Sequence, residues 1–341
     1  MNQLLRHLAL AADSLLYGPS YAGLQYFIRS PRPLDPEATW RFITRPLPGP
    51  VDWLWNYYPP AFARRLILAW QLRTPHNIGI EDHYDVSNAF YELFLDKKFM
   101  SYTCADFPTG RETIEEAQTI KADFILNLIQ PKAGEKILEL GCGWGGMMRY
   151  IADKTGDPGN LTGYTLSKEQ YAFLRERFSL NVELKNFITC DYPPNHFDKI
   201  YSIGAWEAVR PADLDPLLKK LHDTLKPGGR MVHHFFTMPA DGIPTTMVTA
   251  QIFFPGSLMP GHPTQVRAFE KAGFRIVQRT VHDYRPTLRA WFDNLVANRE
   301  RALELVGTYT FNKYIVFFPA SWKYFDDGNG MLIRYVLEKS R

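Results

Sequence analysis

Between Lys136 and Gly146 the chain reads KILELGCGWGG, an apolar run of strand character that ends in a glycine turn and opens on a helical segment, Met147 to Lys154. Strand, glycine turn and helix in that order begin a βαβ unit. Gly141, Gly143 and Gly145 can take positive φ and let bare backbone approach a ligand. The next helix offers unpaired N–H groups at its start. Together they predict a site for a nucleotide-type cofactor. A glycine turn that merely closes a strand–helix unit looks the same, so the neighbouring residues must decide.

A dinucleotide site calls for an acid about 20 residues on, at the end of the second strand, to hold the ribose hydroxyls. Residues 161–167 read LTGYTLS and supply none. Glu139 instead stands just before the glycines, as in S-adenosylmethionine (SAM) sites. From Ile114 a helix (114–129) leads into strand 136–140, helix 144–154, strand 160–166, helix 168–179, a strand near 184–189, strand 198–204, helix 211–225 and strand 229–236. Strands alternating with helices predict an α/β fold with a parallel, doubly wound sheet. The end departs from that rhythm. Residues 274–281 and 331–339 read as two late strands around a helical insertion over 287–325, giving seven strands with the last antiparallel.

The 341 residues are long enough for a large core, and a net charge of +3 is too small for a nucleic-acid footprint. Cys104, Cys142 and Cys190 are scattered without a CxxC pair. That argues against a disulfide framework or a zinc site and fits a reducing cytosol. No apolar stretch has the length needed to span a bilayer. The first 16 residues read as an ordinary helix, because Asp13 interrupts their apolar run. Prolines at 31, 33, 46, 48, 50, 59 and 60 break residues 1–80 into short pieces. One piece, AFARRLILAWQLR (61–73), is amphipathic with three arginines. It reads as a helix packed on the main domain or as one lying on an anionic membrane surface.

Taken in order, several segments resemble the cyclopropane fatty-acid synthase family, which includes mycolic-acid cyclopropane synthases and their methyl-branching relatives. They are HYDVSNAFY (83–91), SYTCADF (101–107), GCGWGG (141–146), TLSKEQ (165–170), SIGAWE (202–207), His233-His234, FFPG (253–256), and His282-Asp283-Tyr284 with Thr287, Leu288 and Trp291. The resemblance covers roughly 80–341 and leaves 1–80 as a helical extension. It implies a cap over the cofactor at 81–130 and a SAM-dependent methyltransferase domain at 131–341, with insertions at 237–265 and 285–327 covering the acceptor. It also implies that SAM is held by Tyr102, Thr103, Glu139, the glycine loop, Thr165 and Gln170, with Asp191 and Tyr192 along the adenine. An amide such as Gln170 can satisfy ribose hydroxyls as donor and acceptor.

Moving a methyl cation onto an isolated alkene creates a carbocation, which water would trap. A proton must then leave to close a cyclopropane. The family uses bound bicarbonate as that base, and the resemblance assigns its ligands to Cys104, Glu207, His234, the backbone at Phe236, and Tyr284. A glutamate holds an oxyanion only by sharing a proton with it, whereas His234 and Tyr284 donate directly. Neighbours on a strand, His233 and His234 point to opposite faces. Ala208 stands where the family usually carries histidine, and Phe236 where it carries an aliphatic residue. Met238, Met247, Met259, Phe253 and Phe254 suit a long, flexible apolar substrate.

The expected protein is a cytosolic enzyme that adds a methyl or methylene group to the double bond of a fatty-acyl, polyene or isoprenoid chain. Its expected partners are that acceptor, a peripheral membrane surface and a second copy in a homodimer, with no nucleic acid and no metal. N-methylation of a small amine is the alternative within the family. A non-catalytic SAM or lipid-surface binder would have no use for Glu207, His234 and Tyr284.

Overall fold

The computed structural model describes residues 19–55, 87–241, 252–253 and 259–340. They fall into two compact units, one drawn from Met1–Phe94, Pro244–Ser257 and Trp291–Asp326, the other from Leu95–Ile243, Leu258–Ala290 and Asp327–Arg341. The second unit carries the sheet. In chain order it contains α1 (Ile114–Ile129), β1 (Ile137–Leu140), α2 (Gly146–Thr155), β2 (Leu161–Thr165), α3 (Lys168–Arg177), β3 (Asn181–Leu184), β4 (Phe197–Ile203), α4 (Pro211–Thr224), β5 (Leu225–Thr237), α5 (His262–Lys271), β6 (Phe274–His282) and β7 (Met331–Lys339).

The strand order is β3-β2-β1-β4-β5-β7-β6. Strands β1 to β5 pair in parallel, and β7 runs antiparallel to both β5 and β6. This is the expected seven-stranded α/β sheet with an antiparallel last strand. The order reverses at β1 and β4, so the carboxyl ends of these two strands flank the crevice where open α/β sheets take their ligands.

Local chemistry fixes the element ends. Thr113 and Glu116 form a reciprocal capping box at the start of α1. Ser167 caps α3 by accepting from the Gln170 N–H at 3.2 Å. Both sheet faces are covered. On one, Leu138, Leu140, Met231 and Leu337 pack with Leu214, Leu217, Leu218 and Leu221 of α4. On the other, Ile137, Val232 and Val336 meet Ile125 and Ile129 of α1 and Met148 and Ile151 of α2. All four residues of β1 are buried, which is why it reads as a continuous apolar run rather than an alternation.

The strand predicted near 184–189 lies earlier, ending at Leu184. Asn186 starts a turn there: its Oδ1 accepts from the Ile188 N–H at 2.9 Å, and its carbonyl accepts from Thr189 and Cys190. Phe187 and Ile188 are buried all the same, so their apolar character imitates a strand.

The first unit is helical, with helices at Pro19–Ile28, Pro36–Thr44, Gly49–Trp55, Asn88–Tyr91 and Arg299–Asp326. Tyr21, Leu24 and Ile28 pack with Ile252, Phe253 and Val316. Buried Asn312 holds the proline-rich turn, accepting from the Leu34 N–H at 2.9 Å and donating to the Arg32 carbonyl at 3.1 Å. The insertion predicted as one helical stretch is two helices, Arg285–Ala297 and Arg299–Asp326, the second kinked at Gly307. The amphipathic segment 61–73, residues 83–86, Met247 and Phe254 lie outside the described residues. No helix among the described residues is long and apolar enough to cross a membrane.

Candidate active site

The glycine loop leaves β1 at its carboxyl end. Gly141 has φ 76°, and a Cβ there would lie 2.3 Å from Ala205 Cβ, so close packing excludes any side chain. Gly143 has φ 54° and differs in kind, because a Cβ there would meet nothing within 4 Å. Its bare backbone faces open space, as a ligand-approach position requires. Gly145 is the N-cap of α2. Glu139 is buried on β1, and Tyr201 of β4 donates to its Oε2 at 2.8 Å. Burial pushes its carboxyl up to about 8 against the opposing pull of that hydrogen bond.

Thr165 and Gln170 are both buried at the end of β2 and start of α3, with Thr165 Oγ1 donating to Gln170 Oε1 at 3.0 Å. Thr103 packs where β4 ends: a Cβ on Gly204 would come within 2.2 Å of its methyl group. Tyr102 is its neighbour in a segment pinned from α1, where Gln118 donates to the carbonyls of Ser101 and Thr103. The pair expected along the adenine, Asp191 and Tyr192, is less gathered. Tyr192 packs beside Tyr164, with ring centroids 6.1 Å apart, and turns its hydroxyl back to the Phe187 carbonyl. Asp191 is exposed, and the structure does not join it to the other candidates.

The second half of the site forms at the ends of β4 and β5. Gly204 N–H donates to the His234 carbonyl, and beyond that point β4 no longer pairs with β5. The next ladder donor, the Phe236 N–H, goes to Glu207 Oε1 at 3.0 Å, so a side chain continues what the strand began. Burial pushes the Glu207 carboxyl up to about 7. His233 and His234 take opposite faces, as predicted. His233 lies against Trp206, with centroids 4.2 Å apart, and Phe269. His234 receives a hydrogen bond from Arg334. Cys104 is fully buried, its Sγ 3.4 Å from the Asp283 carbonyl and 3.9 Å from Thr287 Oγ1. Burial raises its thiol to about 12, which keeps it protonated and unreactive. Tyr284, half-buried, directly precedes the helix Arg285–Ala297.

Two buried cations at the site were not anticipated from the sequence. Lys121 of α1 donates to Ser101 Oγ and, at 2.9 Å, to Thr103 Oγ1, and burial lowers its ammonium to about 8. Arg334 of β7 grips Asp106 with two nitrogens. Burial works to raise the Asp106 carboxyl, but His282 and Arg334 outweigh it and hold it at about 2. A signal existed for both. Lys121 falls on the apolar face of α1 with Ile114, Ala117 and Ile125, and Arg334 interrupts the apolar run of β7. Charges in such places are rarely there without a partner.

The arrangement is that of a methyltransferase sheet with buried polar side chains gathered around the ends of its central strands. Residues 71–335 match the family described as mycolic acid cyclopropane synthetase. Cyclopropane mycolic acid synthase 3 of Mycobacterium tuberculosis is 32% identical over 289 residues, spanning 78% of this chain and 98% of that protein. A probable fatty acid methyltransferase of Pseudomonas putida is 34% identical over 247 residues, spanning 68% of this chain and 61% of that one. Among solved structures, mycolic acid cyclopropane synthase CmaA1 in complex with SAH and CTAB matches with a TM-score of 0.70 at 27% identity, over 78% of this chain and 99% of that one. The chain belongs to the mycolic acid cyclopropane synthetase family and is a SAM-dependent methyltransferase.

Proposed function

We propose that the protein moves a methyl group from SAM to the double bond of an unsaturated apolar chain and then removes a proton, with bicarbonate as the base, giving a cyclopropane or a methyl branch. The observation that carries this reading is a pair of buried polar atoms, Glu207 Oε2 and His234 Nε2, without a hydrogen-bond partner among the described residues. An unmatched buried polar atom costs about 1–3 kcal/mol. Two of them at one strand end, where Glu207 is tied to the residue two beyond His234, support a place made for a small polar guest.

The donor set suits an anion. Cys104 is held as a thiol, and Glu207 retains a proton to share near neutrality. His234 is buried and neutral, with its pKa lowered by burial first and by nearby positive groups second. SAM, when bound, supplies an electrophilic methyl, and bicarbonate supplies the proton acceptor that an alkene substrate lacks. The residues of the chain supply the rest. Thr165 and Gln170 would hold the ribose hydroxyls, Tyr102 and Thr103 would help to hold SAM, and the bare backbone at Gly143 would make room for it. Glu207 is fixed by Phe236 N–H so that its second oxygen serves the guest, and His234 and Tyr284 donate to it. Burial of Cys104, Glu207 and His234 keeps out the water that would trap a carbocation.

The CTAB held by CmaA1 carries a long alkyl chain, which supports an apolar-chain acceptor here. Buried Met238 and Met259 are consistent with one. An acyl acceptor in a phospholipid would bring the protein to a membrane surface.

The test uses purified protein, SAM and vesicles of unsaturated phospholipid, with product read by mass spectrometry. Stripping carbon dioxide from the buffer should cut turnover by about 100-fold, and added bicarbonate should restore it. Full turnover without carbonate would overturn the assigned base. Methyl transfer to amines alone would favour N-methylation instead.

A further inference from the structure

Arg334 lies in the middle of β7 and is 1% exposed. Its Nη1 and Nη2 donate to the two carboxylate oxygens of Asp106 at 2.7 and 2.8 Å. Its Nε donates to His234 Nδ1 at 2.9 Å. Asp106 in turn faces His282 Nδ1 at 3.2 Å, and the other ring nitrogen of His282 is 2.8 Å from Thr280 Oγ1. A guanidinium has five donors, no acceptor, and keeps its proton in proteins. The His234 nitrogen that it touches must therefore be the one without hydrogen. A neutral His234 ring then carries its proton on Nε2, the atom without a partner among the described residues.

We propose that Arg334, held in place by Asp106, is a positioning residue that locks His234 in the tautomer whose Nε2–H donates into the site. The inference rests on the reading of His234 as a donor to a bound anion, because a lone pair on Nε2 would repel the same guest. The charged and titratable groups around the ring are Arg334 on β7, Lys121 on α1 and His282 on β6, with Asp106 taken up by Arg334 and His282. Burial first, and then Arg334 and Lys121, oppose a second proton, so the ring is held neutral as well as oriented. The task needs a planar fork that spans a carboxylate and an imidazole at once, which a lysine point charge cannot do.

The test is the histidine nitrogen NMR spectrum of the full chain labelled with 15N-histidine, without acceptor or added carbonate. His234 is identified by the signals lost in His234→Asn. The expected result is an unprotonated Nδ1 and a protonated Nε2, unchanged from about pH 6 to about pH 8. Arg334→Met should yield mixed tautomers or a titrating ring and lower kcat by about 10- to 100-fold, the usual cost of losing a group that orients a site histidine. The KM for SAM should change little, and Arg334→Lys should restore the single tautomer only in part. A proton on Nδ1 in the native protein would overturn the proposal. So would a single Nε2–H tautomer with unchanged kcat in an Arg334→Met protein that still binds S-adenosylhomocysteine. If Arg334→Met does not fold, Asp106→Asn decides by the same two readouts. Because the spectrum is taken without carbonate, failure of the bicarbonate reading leaves the tautomer result standing, and the reverse also holds.

Discussion

A carboxyl group drawn out of water resists ionising, and Glu207 is such a group. Its only protein hydrogen bond from another residue, among the described residues, comes from the Phe236 N–H, too little to offset burial, so its pKa rises from 4.5 to about 7. Between these values the folded protein binds more protons than the unfolded chain, so this group's contribution to stability is complete below about 4.5 and is lost as pH rises through about 7. Glu207→Gln has no such loss. Urea unfolding from about pH 5 to about pH 8 should show the variant gaining roughly 1–3 kcal/mol relative to the native protein. A difference that does not vary with pH would contradict the shifted carboxyl. The same substitution, and His234→Ala, should depress kcat far more than affinity for S-adenosylhomocysteine, read by calorimetry, because both residues act after the cofactor is bound. Equal losses in rate and affinity would make them structural instead.

The loop between β1 and α2 divides its glycines into two kinds. Valine at Gly141 would collide with Ala205, so Gly141→Val should lose stability by several kcal/mol. A Cβ at Gly143 meets nothing within 4 Å, so the cost of valine is chiefly the positive φ, about 1–2 kcal/mol, while its side chain would enter the open space proposed for the cofactor. Gly143→Val should therefore stay folded and lose SAM binding, by melting and calorimetry respectively. Unchanged SAM affinity in the folded variant would displace the cofactor from this loop. Elements of this kind were legible because the signal is local: β1 is apolar throughout but for Glu139, the glycines sit together, and Thr113 with Glu116 marks the start of α1. The third strand was not, because Asn186 bends the chain while Phe187 and Ile188 still supply core surface. Arg334 was missed for a related reason. Its partners Asp106 and His234 are 228 and 100 residues away, and only the folded sheet joins them.

At the scale of the whole chain, prolines break the first 80 residues into short pieces, yet nothing in their pattern says what these pack against. The helix Pro36–Thr44 sets Trp40 against Phe292, with centroids 4.7 Å apart, and near Trp322. Helix Pro19–Ile28 adds Tyr21, Leu24 and Ile28 to the core around Val316. Such contacts are set by shape across long chain separations, and a periodic pattern cannot announce them. Trp40→Ala should destabilise the helical unit by about 3–5 kcal/mol, seen as a lowered midpoint in urea unfolding; an unchanged midpoint would mean that Trp40 adds little to its core. The activity proposed for the molecule as a whole is SAM-dependent transfer to an unsaturated chain. It is tested most directly by mass spectrometry of lipids from cells that express the protein and are fed methyl-labelled methionine. The expected result is a labelled gain of one methylene unit on an unsaturated lipid, absent when His234→Ala is expressed instead. Label found only on amines, with unsaturated lipids unchanged, would contradict it.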